Sequence, residues 1–197
     1  PGTAKFYFVH SAPPGTSEAD FIAGLAASMP HGFHETGAQE LPAIVDELAA
    51  EMKARSSGDV PLDKAPAIFV FIHGLQRFKK LRQEDDFRFG SSDGPADTGG
   101  QFNDLICEGS SLGIHLIPAV DTFNNVNRSM SRKALSEFEM RVVFQMSAND
   151  SSSLIDSPAA SNLGLHRAIF YNEQAGPLET FRPYAPPPAS WWAKADR

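Results

Sequence analysis

The chain is poor in several features that would have narrowed its role at once. It has one cysteine, Cys107, in 197 residues, so no disulfide can staple it internally, and a reducing, cytoplasmic compartment is the expectation. No apolar run approaches the roughly 20 residues of a membrane-spanning helix. With a mean hydropathy of -0.25, an ordinary water-exposed domain is expected. Positive charge is not in excess. A formal net charge of -7 and a pI near 5.3 argue against a broad basic face that grips nucleic acid. There is no G-x-x-x-x-G-K-[ST] loop to cradle a nucleotide's phosphates. Without G-x-S-x-G, Ser110-Ser111 and Ser151-Ser152-Ser153 are caps and turns, not nucleophile elbows. The opening Pro1-Gly2-Thr3-Ala4 has neither an initiator Met nor a leader pattern, and reads as an internal cut or processed end of something longer.

What is present is a hydrophobic fraction of 42%, enough for one good core and one domain. Apolar runs alternate with helical patterns, which predicts an α/β fold with a mainly parallel sheet flanked by helices. Phe6-Tyr7-Phe8-Val9 is the first strand. Pro13-Pro14-Gly15-Thr16 breaks it, and Ser17 is the expected N-cap of a helix carrying Phe21, Ile22, Leu25 and Met29. After turn-like residues 30–37, a second helix shows Leu41, Ile44, Val45, Leu48 and Met52 on one face. Ala67-Ile68-Phe69-Val70-Phe71-Ile72 is continuously apolar, as a parallel strand covered on both faces should be. Residues 90–100 read as a mobile surface loop. An amphipathic helix from about Gln101 carries Phe102, Leu105, Ile106 and Leu112. Strands are expected at 114–120, 141–146 and 167–171, with a helix near 131–138. The tail, residues 186–197, holds Pro186-Pro187-Pro188 and Trp191-Trp192 and cannot continue a sheet.

Two basic clusters stand out, Arg77, Lys79, Lys80 and Arg82, and then Arg128, Arg132 and Lys133. Each reads first as a solvated face or salt-bridge belt. The former is also the candidate DNA contact. His31 and His34 have a two-residue spacer but no completing ligands, so structural or solvent-facing histidines are expected and no metal site.

The specific signal lies later. Gly113-Ile114-His115-Leu116-Ile117, followed by Ala119-Val120-Asp121, resembles the "G-I-H-L-hydrophobic-A-T-Q" strand of FtsK/SpoIIIE-type P-loop ATPases. Arg141-Val142-Val143-Phe144-Gln145-Met146-Ser147 is similar to that family's "R-I-A-F-Q-V-S". Asp150-Ser151, Leu154-Ile155-Asp156 and Ala159-Ala160 echo its "D-S-R-T-I-L-D" and the small residues after it. Leu163-Gly164 and Ala168-Ile169-Phe170-Tyr171 resemble "L-L-G-x-G-D-M-L-Y". The likeness runs back through residues 67–78, 48–55 and 5–10. It therefore spans residues 1–185, as the C-terminal portion of a RecA-like P-loop NTPase core whose phosphate loop would lie upstream.

The resemblance implies an ATP-driven translocase of DNA, in segregation or cell division, or of a secreted polypeptide. It implies ATP and Mg²⁺ as cofactors of the longer protein, and neighbouring ATPase subunits in a homo-oligomer as partners. It also exposes departures. The acidic pair that ends the Walker B strand falls on His73 and Gly74, which supply no negative charge, unless Asp85 or Asp86 substitutes. The sensor threonine and glutamine fall on Val120 and Asp121; Asp121 is either a retained polar group at a strand end or an N-cap. Arg141 and Arg167 are candidate arginine fingers for a neighbour's nucleotide, or surface ion-pair residues. With no Walker A, the cofactor-binding residues are undefined and this chain alone is not expected to hydrolyse ATP. A degenerate, non-catalytic regulatory module is the alternative.

Overall fold

Strand β1, Ala4–Val9, turns Tyr7 and Val9 into the core and Phe6 and Phe8 to the opposite face, the period of two that a strand imposes. It lies inside a four-stranded parallel sheet of order β2-β1-β3-β4, with β2 at Gly32–Thr36, β3 at Ala67–His73 and β4 at Ile114–Ala119. The register pairs Phe6 with Phe33 on β2 and with Phe69 on β3, and Phe69 with His115 on β4. This computed structural model describes residues 3–29, 31–82, 97–188 and 191. The chain groups into two units, Pro1–Ala134 with Pro187–Arg197, and Leu135–Pro186.

Helix α1, Ser17–Ser28, joins β1 to β2, and α2, Leu41–Ser57, joins β2 to β3 on the far side of β1. Right-handed crossovers that run in opposite directions put these helices on opposite faces. Tyr7 donates a hydrogen bond to Glu47 of α2 at 2.9 Å, which fixes α2 on the Tyr7 face. Leu41, Ile44, Val45 and Leu48 of α2 are buried, as are Ile68, Val70 and Ile72 of β3. Helix α3, Thr98–Glu108, packs on α2 and buries Phe102, Leu105 and Ile106; the partly exposed Cys107 sits on its last turn. The short helices α4, Phe123–Ser129, and α5, Arg132–Ser136, follow β4.

Several local expectations are corrected. Thr16, not Ser17, caps α1: its Oγ1 accepts from Ala19 N at 3.3 Å. Most of the turn expected at 30–37 is strand β2, whose polar sequence buries only Thr36 because it forms the sheet edge. Helix α3 starts at Thr98, three residues early. Residues 90–96 of the expected loop, with Asp85 and Asp86, lie outside the described residues.

The second unit holds a separate antiparallel sheet of order β5-β6-β7, with strands Met140–Val143, Ala168–Asn172 and Glu179–Phe181. Its core is Val143, Ile155, Ala160, Leu163 and Ile169, gathered by helix α6, Ala148–Ile155, and a 3-10 turn at Pro158–Asn162. Apolar runs alone favoured parallel strands here. They carry no information on strand direction, and the two antiparallel pairings are a property of the folded unit.

One buried cation fastens the entrances of β3 and β4. The side chain of Arg55 is 1% exposed. It donates from Nε to Glu51, from Nη1 to Leu112 O at 2.8 Å and from Nη2 to Pro66 O at 3.0 Å. Gly113, at φ 76°, makes room: a Cβ there would come within 3.3 Å of Arg55 Nη1. Replacing Arg55 by Ala should cost about 3 kcal/mol in urea unfolding, because Glu51 and two carbonyls lose their donor together. Arg55→Lys should recover only part, since an ammonium lacks the planar fork.

Candidate functional site

In an open parallel sheet, ligands collect outside the carboxyl ends of the strands, where neighbouring connections part to opposite faces. The order β2-β1-β3-β4 sets that point between β1 and β3. The loop after β1 runs to α1, and the turn after β3 runs to the α2 and α3 side. His73, the last residue of β3, and Gly74 stand at this point. Gly74 adopts φ 77° and its N–H donates to Ala119 O at 3.1 Å. That left-handed backbone suits glycine and would strain a glutamate.

Around them the fold gathers residues that sequence reasoning missed. His73 Nδ1 comes within 2.7 Å of Glu18 Oε1, from the first turn of α1. The contact has ion-pair distance but not the angle of a hydrogen bond, and Glu18 Oε1 finds no donor among the described residues. Arg77, in a 3-10 turn at Leu75–Arg77, reaches across to the β1 exit loop and donates from Nη1 to Ser11 Oγ at 3.1 Å and more weakly to Ser11 O. His10 directly follows β1 and lies 3.1 Å from Glu35 of β2 through Nε2. The signal that could have found His10 and Ser11 is their position directly after an apolar strand.

The arrangement does not fit a phosphate cradle. Pro13 and Pro14 remove two N–H donors from the loop before α1. Thr16 Oγ1 is used locally, donating to Pro13 O and accepting from Ala19. Glu18 and Asp20 put negative charge at the helix N-terminus, where it opposes an anion. At the end of β3 stand an imidazole and a glycine where a Mg²⁺ site of the family kind would have carboxylates.

The remaining sequence candidates are dispersed. Asp121 lies just past β4, exposed; Asn125 Nδ2 donates to it at 2.8 Å and holds its carboxyl below the usual range. The N-cap of α4 is its neighbour Thr122. Lys79 and Lys80 are exposed on a 3-10 turn whose Leu81 is buried, while Arg82 donates to Gln76 O at 3.3 Å. In the second unit, Arg141 donates to Phe138 O, Leu154 O and Leu135 O, and its guanidinium stands 5.6 Å from the Tyr171 ring centroid. Arg167 is exposed and has no hydrogen bond or ion pair among the described residues. His31 lies tilted against Phe6, at 45° between the ring planes, and His34 stacks on Tyr7. Among the described residues no group of three or more His, Cys, Asp or Glu could hold a metal ion, and no helix is long and apolar enough to cross a membrane.

No protein-family model and no curated protein matches the chain. Among solved structures, a bacterial conjugative coupling protein, TrwBdeltaN70 in an unbound monoclinic form, is similar at 13% identity and a TM-score of 0.47, over 81% of this chain. The chain spans 43% of that structure's length. The likeness is too distant to assign chemistry.

Beside β2 a cavity of about 240 Å³ is lined by Tyr7, His34, Thr36, Glu40 and Glu47, among others. Burial, and then the hydrogen bond to Glu47 and the charges of Glu47 and Glu51, push the Tyr7 hydroxyl up to about 12 from 10.0. The folded state therefore holds this proton more tightly than the unfolded chain does. That contribution to stability is complete below pH 10.0 and is lost as pH rises toward about 12. Denaturant unfolding across pH 9 to 12 should show a falling stability whose slope is reduced in Tyr7→Phe. An unchanged slope would contradict the shift.

Proposed function

We propose that this chain is the phosphate-loop-lacking portion of an FtsK/SpoIIIE-like translocase module, and that it does not turn over ATP by itself. The supporting observation is the end of β3, where His73 and Gly74 occupy the switch point with no carboxylate pair and no cradle opposite them. The segment from Gly113 to Tyr171, quoted above, supports the family. Two open strand edges support incompleteness. Among the described residues no strand pairs with the outer side of β4. In the second sheet β5 is likewise an edge, and Met140, Val142 and the following Phe144 are 66%, 51% and 54% exposed, more apolar surface than an edge strand safely shows to water.

In this reading the nucleotide, Mg²⁺ and the polymer are handled by an assembly of which the chain is one part. Arg167, unengaged among the described residues, is the better finger candidate; Arg141 would first have to release three backbone carbonyls. Lys79 and Lys80 are the available phosphate contacts on DNA, because Arg77 is occupied by Ser11. The Glu18–His73 contact and Pro13-Pro14 favour a second reading, a regulatory module that no longer serves a nucleotide.

Purified chain supplied with Mg²⁺-ATP should release phosphate no faster than a protein-free control. Turnover that persists through purification and disappears in His73→Ala would overturn the proposal. Titration with duplex DNA at two salt concentrations separates the polymer role. Affinity that weakens with salt and drops in the Lys79→Ala, Lys80→Ala double variant places DNA on this turn. Salt-insensitive absence of binding removes DNA contact from this chain.

A further inference from the structure

His10 makes two contacts that together define its proton. Its ring Nδ1 lies 3.2 Å from the backbone N–H of Ala12, and a nitrogen that accepts a hydrogen bond carries no hydrogen. Nε2 must then bear it and donate to Glu35 Oε1. The hydrogen-bond network thus assigns a neutral Nε2–H tautomer. The residue is 9% exposed, its own N–H donates to Thr36 O at 3.1 Å, and its ring lies 6.2 Å from that of Phe8. The contact to the N–H two residues on has the geometry of an Asx turn, made here by an imidazole.

We propose that His10 is a proton-operated latch on the loop that leaves β1, closed when the ring is neutral and released when it is protonated. Adding a proton to Nδ1 sets a donor against the Ala12 donor, so that contact breaks. The same proton strengthens the Nε2–H···Glu35 contact, which becomes charge-assisted. The ring therefore stays on β2 and lets go of Ala12. Ser11 lies between the two residues and holds Arg77, so release of the loop loosens Arg77 from the β1 side of the switch point.

The charged and titratable groups on the surrounding elements are Glu35 on β2, Glu40 of the turn before α2, His73 on β3 with Glu18 of α1, and Arg77. Glu40 accepts from the Thr36 hydroxyl, and Thr36 O accepts from His10 N. Of these, Glu35 alone contacts the ring, and it favours retention of the protonated ring on β2. The consequence for a ligand at the switch point rests on the site assignment above, whereas the latch is readable with no ligand present.

The test is nitrogen-15 NMR of the whole chain, following the His10 ring nitrogens, the Ala12 amide and the Arg77 side-chain N–H as pH is lowered. The ring should begin as the neutral Nε2–H tautomer. As it titrates, Ala12 amide exchange should rise at least about tenfold, and the Arg77 signal should move with the same midpoint. In His10→Asn the side-chain oxygen can still accept from Ala12 but cannot titrate, so both responses should vanish while the loop stays closed. An Nδ1–H tautomer in wild type, a ring that does not titrate while the protein is folded, or an Ala12 amide indifferent to its titration would each overturn the latch. So would an undiminished response in His10→Asn, which would assign the response to His73, Glu18 or Glu35. The wild-type measurements decide the matter even if that variant fails to fold.

Discussion

Parallel pairing of β1 between β2 and β3 is the constraint on which the rest of the first unit depends. With β1 inside the sheet, α1 must cross one face to reach β2 and α2 must cross the other to reach β3. The connections leaving β1 and β3 then part at one place on the carboxyl edge. His10, Ser11, His73, Gly74 and Arg77 meet there though they come from two stretches more than sixty residues apart. At the opposite edge, Arg55 closes the strand entrances with a fork of backbone contacts. The sheet is thus pinned at its amino end and left chemically open at its carboxyl end.

The ladder also explains a proline in an apolar strand. Ile68 N donates to Gly113 O and Gly74 N to Ala119 O, so the odd-numbered residues of β4 face β3. Leu116 and Pro118 turn their backbone groups outward. Pro118 has no N–H to leave unpaired there, which suits an edge. Leu116 does have one, and together with the half-exposed Ile117 it makes the outer side of β4 a position that another strand could complete.

Much of this order was legible in the sequence. The runs at β1, β3 and β4 are long and apolar because each is a packed strand of the sheet, and the helix face from Leu41 to Leu48 has a clear period. Strand β2 was not legible, since Gly32-Phe33-His34-Glu35-Thr36 sits at an edge and buries one residue. Nor was the direction of β5 and β6, because alternation and hydrophobicity are blind to it. At the site, His73 and Gly74 were visible as the end of an apolar strand. Their neighbours Glu18 and Ser11, and the His10–Glu35 pair, were not, because these partnerships follow from strand order. Arg141 shows the converse: its place near a strand's start suggested a role in trans, and its three carbonyl partners come from α5, the turn after it and the end of α6.

Among the described residues the outer side of β4 is unpaired, as a portion of a larger translocase module requires. Residue-resolved amide exchange tests this claim most directly. His115 and Ile117, paired with β3, should be protected, and Leu116 between them should exchange at least about 100-fold faster. Equal, strong protection of all three would mean that β4 already has a partner on its outer side, and would contradict the claim.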